Sequence, residues 1–259
     1  MASSNQPQSL EAMLGGITEV TGTCERHGQW ESKTFTHMIS RARCPSCVNE
    51  EKQAAAEAEV AKKTEADRVR RLKNLADRGV SARHIGKTFD TYIADTREQE
   101  YALNSCKDLA LSVIAGKERI PSLILSGGPG TGKTHLTCAI IQACYDAGKD
   151  AIKSNIMEII RDIKSTWRKG SEAGEEDVIT WYADRDLLVI DEIGVQFGSD
   201  TERMYVFEII NRRYEACLPT VLVTNLDVAG LRQEVGERVL DRLREDGGRM
   251  LVFTGKSWR

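Results

Sequence analysis

The stretch Gly127-Gly128-Pro129-Gly130-Thr131-Gly132-Lys133-Thr134 decides the fold class of this 259-residue chain. It fits the P-loop pattern G-x-x-x-x-G-K-[ST] and lies between an apolar run and a helical pattern. Glycines let backbone N–H groups wrap closely around phosphates. We predict that Lys133 contacts the β- and γ-phosphates and that the Thr134 hydroxyl ligates Mg²⁺. His135, the next residue, is included in the predicted nucleotide-binding set.

Two further polar elements follow apolar runs that predict buried strands. The run 187–190 ends in Asp191-Glu192, and the run 220–224 ends at Asn225. An aspartate there can hold Mg²⁺, and the adjacent glutamate can orient and deprotonate an attacking water. An ordinary solvated turn is the alternative for Asp191-Glu192. We predict that Asn225 touches the γ-phosphate or the water, on a strand between those of the P-loop and Asp191.

Short apolar runs alternate with helical patterns from about residue 100 onward. The runs of strand length lie at 122–127, 151–155, 187–191, 220–225 and 250–254. Strands that alternate with helices of this length predict a parallel sheet covered by helices on both faces. The predicted fold class is therefore α/β, with a three-layer αβα arrangement.

Two arginines share one face of a helical pattern near residue 240. Arg238 and Arg242 are four residues apart in GERVLDRLR (236–244). An arginine that a neighbouring subunit presents to the γ-phosphate can stabilise transition-state charge. A salt-bridged surface helix is an equal alternative for either arginine alone.

These motifs together carry a specific resemblance. The chain resembles the DnaC-type helicase loaders in SGGPGTGKTHL (126–136), LLVIDEIG (187–194), the Thr-Asn strand end (224–225) and GERVLDRLR (236–244). Those loaders are AAA+ ATPases, in a branch that also includes the IstB transposition ATPases. The likeness covers about residues 83–259. It implies that Asp191 is the Walker B aspartate and Glu192 the catalytic glutamate. It also implies a sensor role for Asn225 and an arginine finger at Arg242, with Arg238 as second choice.

The resemblance also sets an expectation for activity. AAA+ proteins usually follow the last strand with a helical lid, which residues 254–259 are too few to form. We therefore expect a nucleotide site that is open on one side. The ATPase is expected to be slow alone and to be stimulated by oligomerisation or partners.

A second constellation lies in the first 47 residues. Cys24-x₂-His27 and Cys44-x₂-Cys47 are separated by 16 residues. Two short ligand pairs around such a loop fit a closed tetrahedral Zn²⁺ site with three thiolates and one imidazole. The alternative is three free cysteines and an unrelated histidine. A segment this short needs a staple to fold, and Zn²⁺ would supply it.

Zinc-bearing N-terminal modules are familiar in loaders of the DnaC type, where that part grips the replicative helicase. In this chain Trp30 is expected to be core, whereas Phe35, Met38 and Ile39 are open between core and contact surface. Residues 48–78 are rich in Ala, Glu, Lys and Arg and predict an exposed helix. We predict a zinc-binding, helicase-interacting module at 1–49, a connecting helix at 50–82 and an AAA+ ATPase domain at 83–259.

Basic residues suggest where nucleic acid would bind. The helix after the 151–155 strand is assigned Lys153, Arg161, Lys164, Arg168 and Lys169. In the family that the chain resembles, this region follows single-stranded DNA. A solvated helix face is the alternative interpretation. A formal net charge of −3 argues against tight DNA binding by a monomer.

The composition of the sequence indicates the cellular compartment of the protein. The first residues lack the features of a secretory signal, no apolar run approaches membrane-spanning length, and seven cysteines leave an odd count. These features predict a cytoplasmic protein without membrane contact. The leading interpretation is an ATP-dependent helicase loader that binds the replicative helicase and single-stranded DNA as a homo-oligomer. The alternatives are an IstB-like transposition ATPase and a zinc-dependent ATP-binding adaptor.

Overall fold

The computed structural model describes residues 16–168, 170, 172–194 and 199–254. The chain divides into two compact units, Met1–Arg70 and Arg71–Arg259, and the boundary falls inside one long helix. The domain bounds inferred from the sequence stay a prediction.

The first unit begins with a β-hairpin that the sequence analysis did not predict. Strands β1 (Ile17–Cys24) and β2 (Gly28–Phe35) pair antiparallel, and the long helix α1 (Pro45–Asp77) follows. Pro45 opens this helix, a position where its missing N–H costs nothing. Trp30 is half-buried, with its ring against Gly22. The hairpin therefore offers little apolar surface for a core.

The second unit carries five strands and the helices that connect them. Its helices are α2 (Arg97–Ile114), α3 (Lys133–Asp146), α4 (Ile156–Ser165), α5 (Glu175–Ala183), α6 (Asp200–Glu215), α7 (Val228–Val235) and α8 (Glu237–Arg244). Its strands are β3 (Leu123–Gly127), β4 (Ala151–Asn155), β5 (Leu187–Ile193), β6 (Thr220–Thr224) and β7 (Arg249–Phe253).

All strand pairs of this sheet are parallel, in the order β4-β5-β6-β3-β7. Strand β6 thus lies between β3 and β5, as predicted for the strand that ends at Asn225. Because the carboxyl ends of parallel strands meet at one edge, the residues after β3, β5 and β6 come together there.

Helices cover both faces of the sheet. Successive strand residues point to opposite faces, so Leu123 and Leu125 join a core with α2 and α3, whereas Ile124 joins a core with α4 to α8. Both cores consist of buried side chains, most of them aliphatic. The predicted α/β three-layer architecture is confirmed.

The helix after β4 ends at Ser165, and Lys153, assigned to it from the sequence, lies on β4 itself. Arg168 lies beyond the end of this helix, so the assignments of Lys153 and Arg168 to it were wrong. The helical region after β6 is two helices, separated at Gly236. The expected absence of a lid falls mainly on residues 255–259, which lie outside the described part of the chain. Within that part, no helix is both long enough and apolar enough to cross a membrane.

Candidate nucleotide and metal sites

A cleft of about 890 Å³ opens at the carboxyl edge of the sheet. The predicted residues that line it are Pro129, Gly130, Thr131, Gly132, Lys133, Thr134, His135, Asp191, Glu192 and Asn225. Gly127 and Gly128 lead into the same loop from the end of β3. The structure therefore gathers at one edge the residues that three separate motifs contributed.

The P-loop conformation depends on its glycines. Gly130 and Gly132 have φ values of 80° and 99°, which disfavour any residue with a Cβ. A Cβ on Gly132 would lie 2.9 Å from the ring of Tyr92, and one on Gly127 would lie 2.4 Å from the Phe253 carbonyl oxygen. Steric fit and backbone conformation thus both require glycine at these turns.

Lys133 and Asn225 are in direct contact. The Lys133 ammonium donates to the carbonyl of Gly128 at 2.8 Å, to the carbonyl of Gly127, and to Asn225 Oδ1 at 3.0 Å. The side chain is buried, so these acceptors replace water around its charge. A bound nucleotide phosphate would have to replace these oxygen atoms as the hydrogen-bond acceptor of Lys133.

Asp191 and Glu192 differ sharply in environment although they are adjacent. The buried Asp191 carboxylate accepts from Lys153 Nζ at 2.8 Å and from the Glu192 backbone N–H at 2.8 Å. Glu192 is exposed, and its φ of 60° marks an irregularity in β5 between Ile190 and Ile193. Such strain is typical of functional sites, and here it turns the Glu192 side chain toward the cleft.

Residues 87–92, which precede α2, contact the P-loop and the start of α3. The sequence analysis gave these residues no role. Tyr92 packs edge-on against His135, with 5.2 Å between ring centroids. His135 Nε2–H donates to the Thr88 carbonyl at 2.8 Å, and burial lowers the pKa of this imidazole. Burial also raises the pKa of Tyr92 to about 12. The buried Gln142 amide donates to the carbonyl of Lys87 and so ties the segment to α3. The sequence carries no local pattern that predicts these contacts.

In the first unit, Cys24, His27, Cys44 and Cys47 converge. Their ligand atoms all lie within 4.8 Å of one another. His27 Nδ1 lies 3.3 Å from Cys47 Sγ, 3.7 Å from Cys44 Sγ and 3.8 Å from Cys24 Sγ. The hairpin turn provides the first two residues, and the start of α1 provides the others. Three sulfurs and one imidazole nitrogen are a donor set that Zn²⁺ prefers.

The electrostatics of this cluster favour a cation. Backbone N–H groups of Arg26 and His27 lower the pKa of Cys24 to about 6, whereas the hydrogen bond to Cys24 raises the pKa of Cys47 to about 11. A divalent ion would allow both thiolates to persist. Glu50, which the sequence analysis missed, accepts from His27 Nε2 at 2.9 Å. It fixes the tautomer that leaves Nδ1 to a metal.

Helix α8 places its two arginines differently. Arg238 is exposed, whereas the Arg242 guanidinium stacks over Phe207 and Tyr214, at 4.9 and 5.4 Å from their ring centroids. Arg242 lines a small pocket with Thr220 and Cys217, at the amino end of β6. The phosphate cleft lies at the opposite edge of the sheet, so Arg242 cannot reach the P-loop of its own chain.

The basic residues proposed for DNA fall into different settings. Lys153 pairs with Asp191 in the cleft, and Lys164 pairs with Glu202. Arg161 and Arg168 are exposed, while Lys169 lies outside the described residues. Trp167, beside Arg168, exposes 58% of its surface. The exposed Arg161 thus lies within α4, whereas Trp167 and Arg168 follow its last residue.

Comparison with known proteins places this site in a family. The sequence pattern of the family described as IstB-like ATP binding protein matches residues 53–259. The chain belongs to that family. Nucleotide binding by an IstB-like protein agrees with the P-loop geometry, and the matched range contains the whole cleft. The cysteine and histidine cluster precedes the range, so its assignment depends on geometry.

Relatives of this IstB-like chain include helicase loaders. Replicative helicase loader DnaC of Escherichia coli (strain K12) is 34% identical over 181 residues, which cover 70% of this chain and 72% of that protein. The same-named protein of Buchnera aphidicola subsp. Baizongia pistaciae (strain Bp) is 30% identical over 211 residues, covering 82% and 84%. A crystal structure of the DnaC helicase loader matches 67% of this chain and 100% of its own, with a TM-score of 0.58 and 25% identity. The resemblance and the AAA+ fold class are confirmed.

Proposed function

We propose that this protein is an ATP-driven helicase loader, which binds a replicative helicase and single-stranded DNA and switches between states as ATP binds and is hydrolysed. The observation that carries the proposal is the meeting of Lys133, Asp191, Glu192 and Asn225 at one sheet edge, in a chain related to DnaC.

The residues of the cleft divide the work of hydrolysis. Lys133 exchanges the Gly127 and Gly128 carbonyls for phosphate oxygens, and this exchange releases Asn225 to contact the γ-phosphate or the water. Glu192 is exposed to the cleft and can take a proton from that water. Thr134 and Asp191 would hold Mg²⁺, which neutralises phosphate charge when bound.

The module at 1–49, within the first unit, is proposed to bind the helicase and to fold around Zn²⁺ held by Cys24, His27, Cys44 and Cys47. Met38 and Ile39 are 39% and 40% exposed, so they are available for a protein contact. We keep 1–49 as this module, 50–82 as the connecting helix and 83–259 as the ATPase domain.

Single-stranded DNA is proposed to run along α4 and the residues that follow it. Arg161 and Arg168 supply positive charge, and Trp167 offers a ring on which a base can stack. The weak net charge suits binding by several copies that each present one such strip.

The partner test uses two variants that hold the protein in different states. Tagged Glu192→Gln with ATP is expected to retain the replicative helicase from lysate of the source organism. The variant binds ATP without hydrolysing it, so the protein stays in its ATP-bound state. Tagged Lys133→Ala is the matched control without nucleotide. Proteins that are retained only by the first variant are identified by mass spectrometry.

The alternatives give different results in the same experiment. The family description favours a transposition ATPase as the second candidate, and retention of a transposase in place of the helicase would support it. Retention of neither, together with absence of hydrolysis, would leave a zinc-dependent adaptor that uses ATP as a structural ligand.

The metal proposal has its own prediction. Purified protein is expected to hold about one equivalent of Zn²⁺, and Glu50→Ala should weaken Zn²⁺ binding by about 10–100-fold, the usual effect of losing the partner of a ligating histidine. Competition with a chromophoric chelator measures both. Glu51→Ala is the matched control, because Glu51 is the next residue and bonds to Arg43.

Cys44→Ser removes a ligand directly. We expect loss of Zn²⁺ and of structure in the first unit, with ATP binding retained, as measured by metal analysis and fluorescent-nucleotide titration. Well under half an equivalent of Zn²⁺ in the unmodified protein would contradict the metal site.

A further inference from the structure

The ion pair between Lys153 and Asp191 occupies the position where the nucleotide site needs a free carboxylate. Lys153 Nζ lies 2.8 Å from Asp191 Oδ2, and the side chains are only 14% and 10% exposed. The other oxygen of Asp191 already accepts from the Glu192 N–H. A cation that approaches Asp191 from the cleft must therefore displace the ammonium.

The backbone holds Lys153 in place for this contact. Its partner across the β4–β5 pair is Val189, two residues before Asp191, which makes the two side chains diagonal neighbours on one face. On the outer side of β4, Lys153 N–H donates to the Arg78 carbonyl at 3.0 Å. A Cβ on Gly79 would lie 1.8 Å from the Lys153 carbonyl oxygen, so the close approach requires glycine. Contacts on both sides of β4 thus fix the backbone position from which the Lys153 side chain extends.

The charges around the cleft determine how the Lys153–Asp191 ion pair affects nucleotide binding. Lys153 lines the cleft together with Lys133, Lys87 and Arg83, so several cations face the place of the triphosphate. Without a metal ion, Lys153 stays paired with Asp191 and cancels a carboxylate charge that would repel the phosphates. This neutralisation lowers the dependence of nucleotide binding on a metal ion.

We propose that Lys153 is a positioning residue of the ATP site, which neutralises Asp191 in the empty cleft and is exchanged for Mg²⁺ when the metal–nucleotide complex binds. This inference rests on the proposed function, since it requires ATP in the cleft. Lys153 thereby sets how much Mg²⁺ the site needs, and without Mg²⁺ it neutralises the carboxylate that would otherwise repel the phosphates.

The test is a titration of a fluorescent ATP analogue with Lys153→Met, in EDTA and over a series of Mg²⁺ concentrations. Binding in EDTA is expected to weaken about tenfold, the size expected for one lost charge interaction in a partly buried site. The Mg²⁺ concentration for half-maximal binding should fall several-fold, because no ammonium competes for Asp191. Lys153→Arg keeps the charge and should keep the wild-type profile. Lys117→Met removes an exposed lysine between α2 and β3 and should change neither quantity.

Each outcome separates the hypotheses. If Lys153→Met binds the analogue like wild type in EDTA and at every Mg²⁺ concentration, the inference is overturned while the ATPase proposal stands. If a fall in affinity is equal with and without Mg²⁺ and Lys153→Arg does not restore binding, Lys153 is only structural and the inference also fails. If the unmodified protein does not bind ATP, the proposed function itself fails. Thermal unfolding of each variant checks that the sheet edge is intact.

Discussion

Glu192→Gln is expected to bind ATP with nearly unchanged affinity and to lose hydrolysis by about 10²–10⁴-fold, the usual contribution of a positioned general base. Glutamine keeps the size and polarity of the side chain but cannot accept a proton from water. The left-handed backbone at Glu192 is retained, because the substitution changes only the end of the side chain. Phosphate release under steady-state conditions and nucleotide titration measure the two quantities separately.

Lys133→Ala is the matched comparison for this prediction. It removes the charge that meets the phosphates in the ground state, so ATP binding itself should be lost. A Glu192→Gln protein that hydrolyses ATP at the wild-type rate would show that another group activates the water.

Arg242→Ala is expected to bind ATP nearly normally and to lose the stimulation that subunit assembly provides. An arginine finger supplied by a neighbour is worth about 10³–10⁵ in rate at such sites. Because Arg242 lies at the amino edge of its own sheet, it can act only on the cleft of another copy. Turnover per subunit should therefore rise with protein concentration in the wild type and stay flat in the variant.

A mixing experiment makes the shared site specific. Arg242→Ala and Lys133→Ala subunits should together regain part of the activity, since each supplies the half that the other lacks. Arg244→Ala controls for a lost charge at the end of the same helix, and Arg238→Ala tests the second choice. Full activity of Arg242→Ala, with turnover independent of concentration, would refute the composite site.

The sheet could be predicted from the sequence because each of its strands is a local signal. Apolar runs such as 187–190 are buried on both faces, and their alternation with helices fixes parallel pairing. The hairpin Ile17–Phe35 has no comparable run, because its side chains stay partly exposed and its stability would come from strand pairing and a metal. Helix α2 was also not predicted, although the sequence contains its capping box, Thr96 and Gln99.

The candidate site could be predicted where a motif states both residue type and position. The loop at 127–134 and the strand tips at Asp191 and Asn225 required only the order of strands to come together. Contacts such as Lys153 with Asp191 join residues that are far apart in the sequence, and they depend on register between neighbouring strands. No local pattern carries that information, so the sequence analysis gave Lys153 a role in DNA binding. The apolar run at 151–155 did predict the strand on which Lys153 lies.

The pocket beside Arg242 contains the exposed cysteine of the chain, Cys217. Burial raises the pKa of Cys106 and Cys144 to about 12 and that of Cys138 to about 11, so these sulfurs stay protonated and shielded from reagents. Zinc ligation would withdraw Cys24, Cys44 and Cys47 from the same chemistry. Cys217 is exposed, and it shares its pocket with Arg242. A maleimide dye would therefore attach at Cys217, beside the arginine that is proposed to act on another copy of the chain.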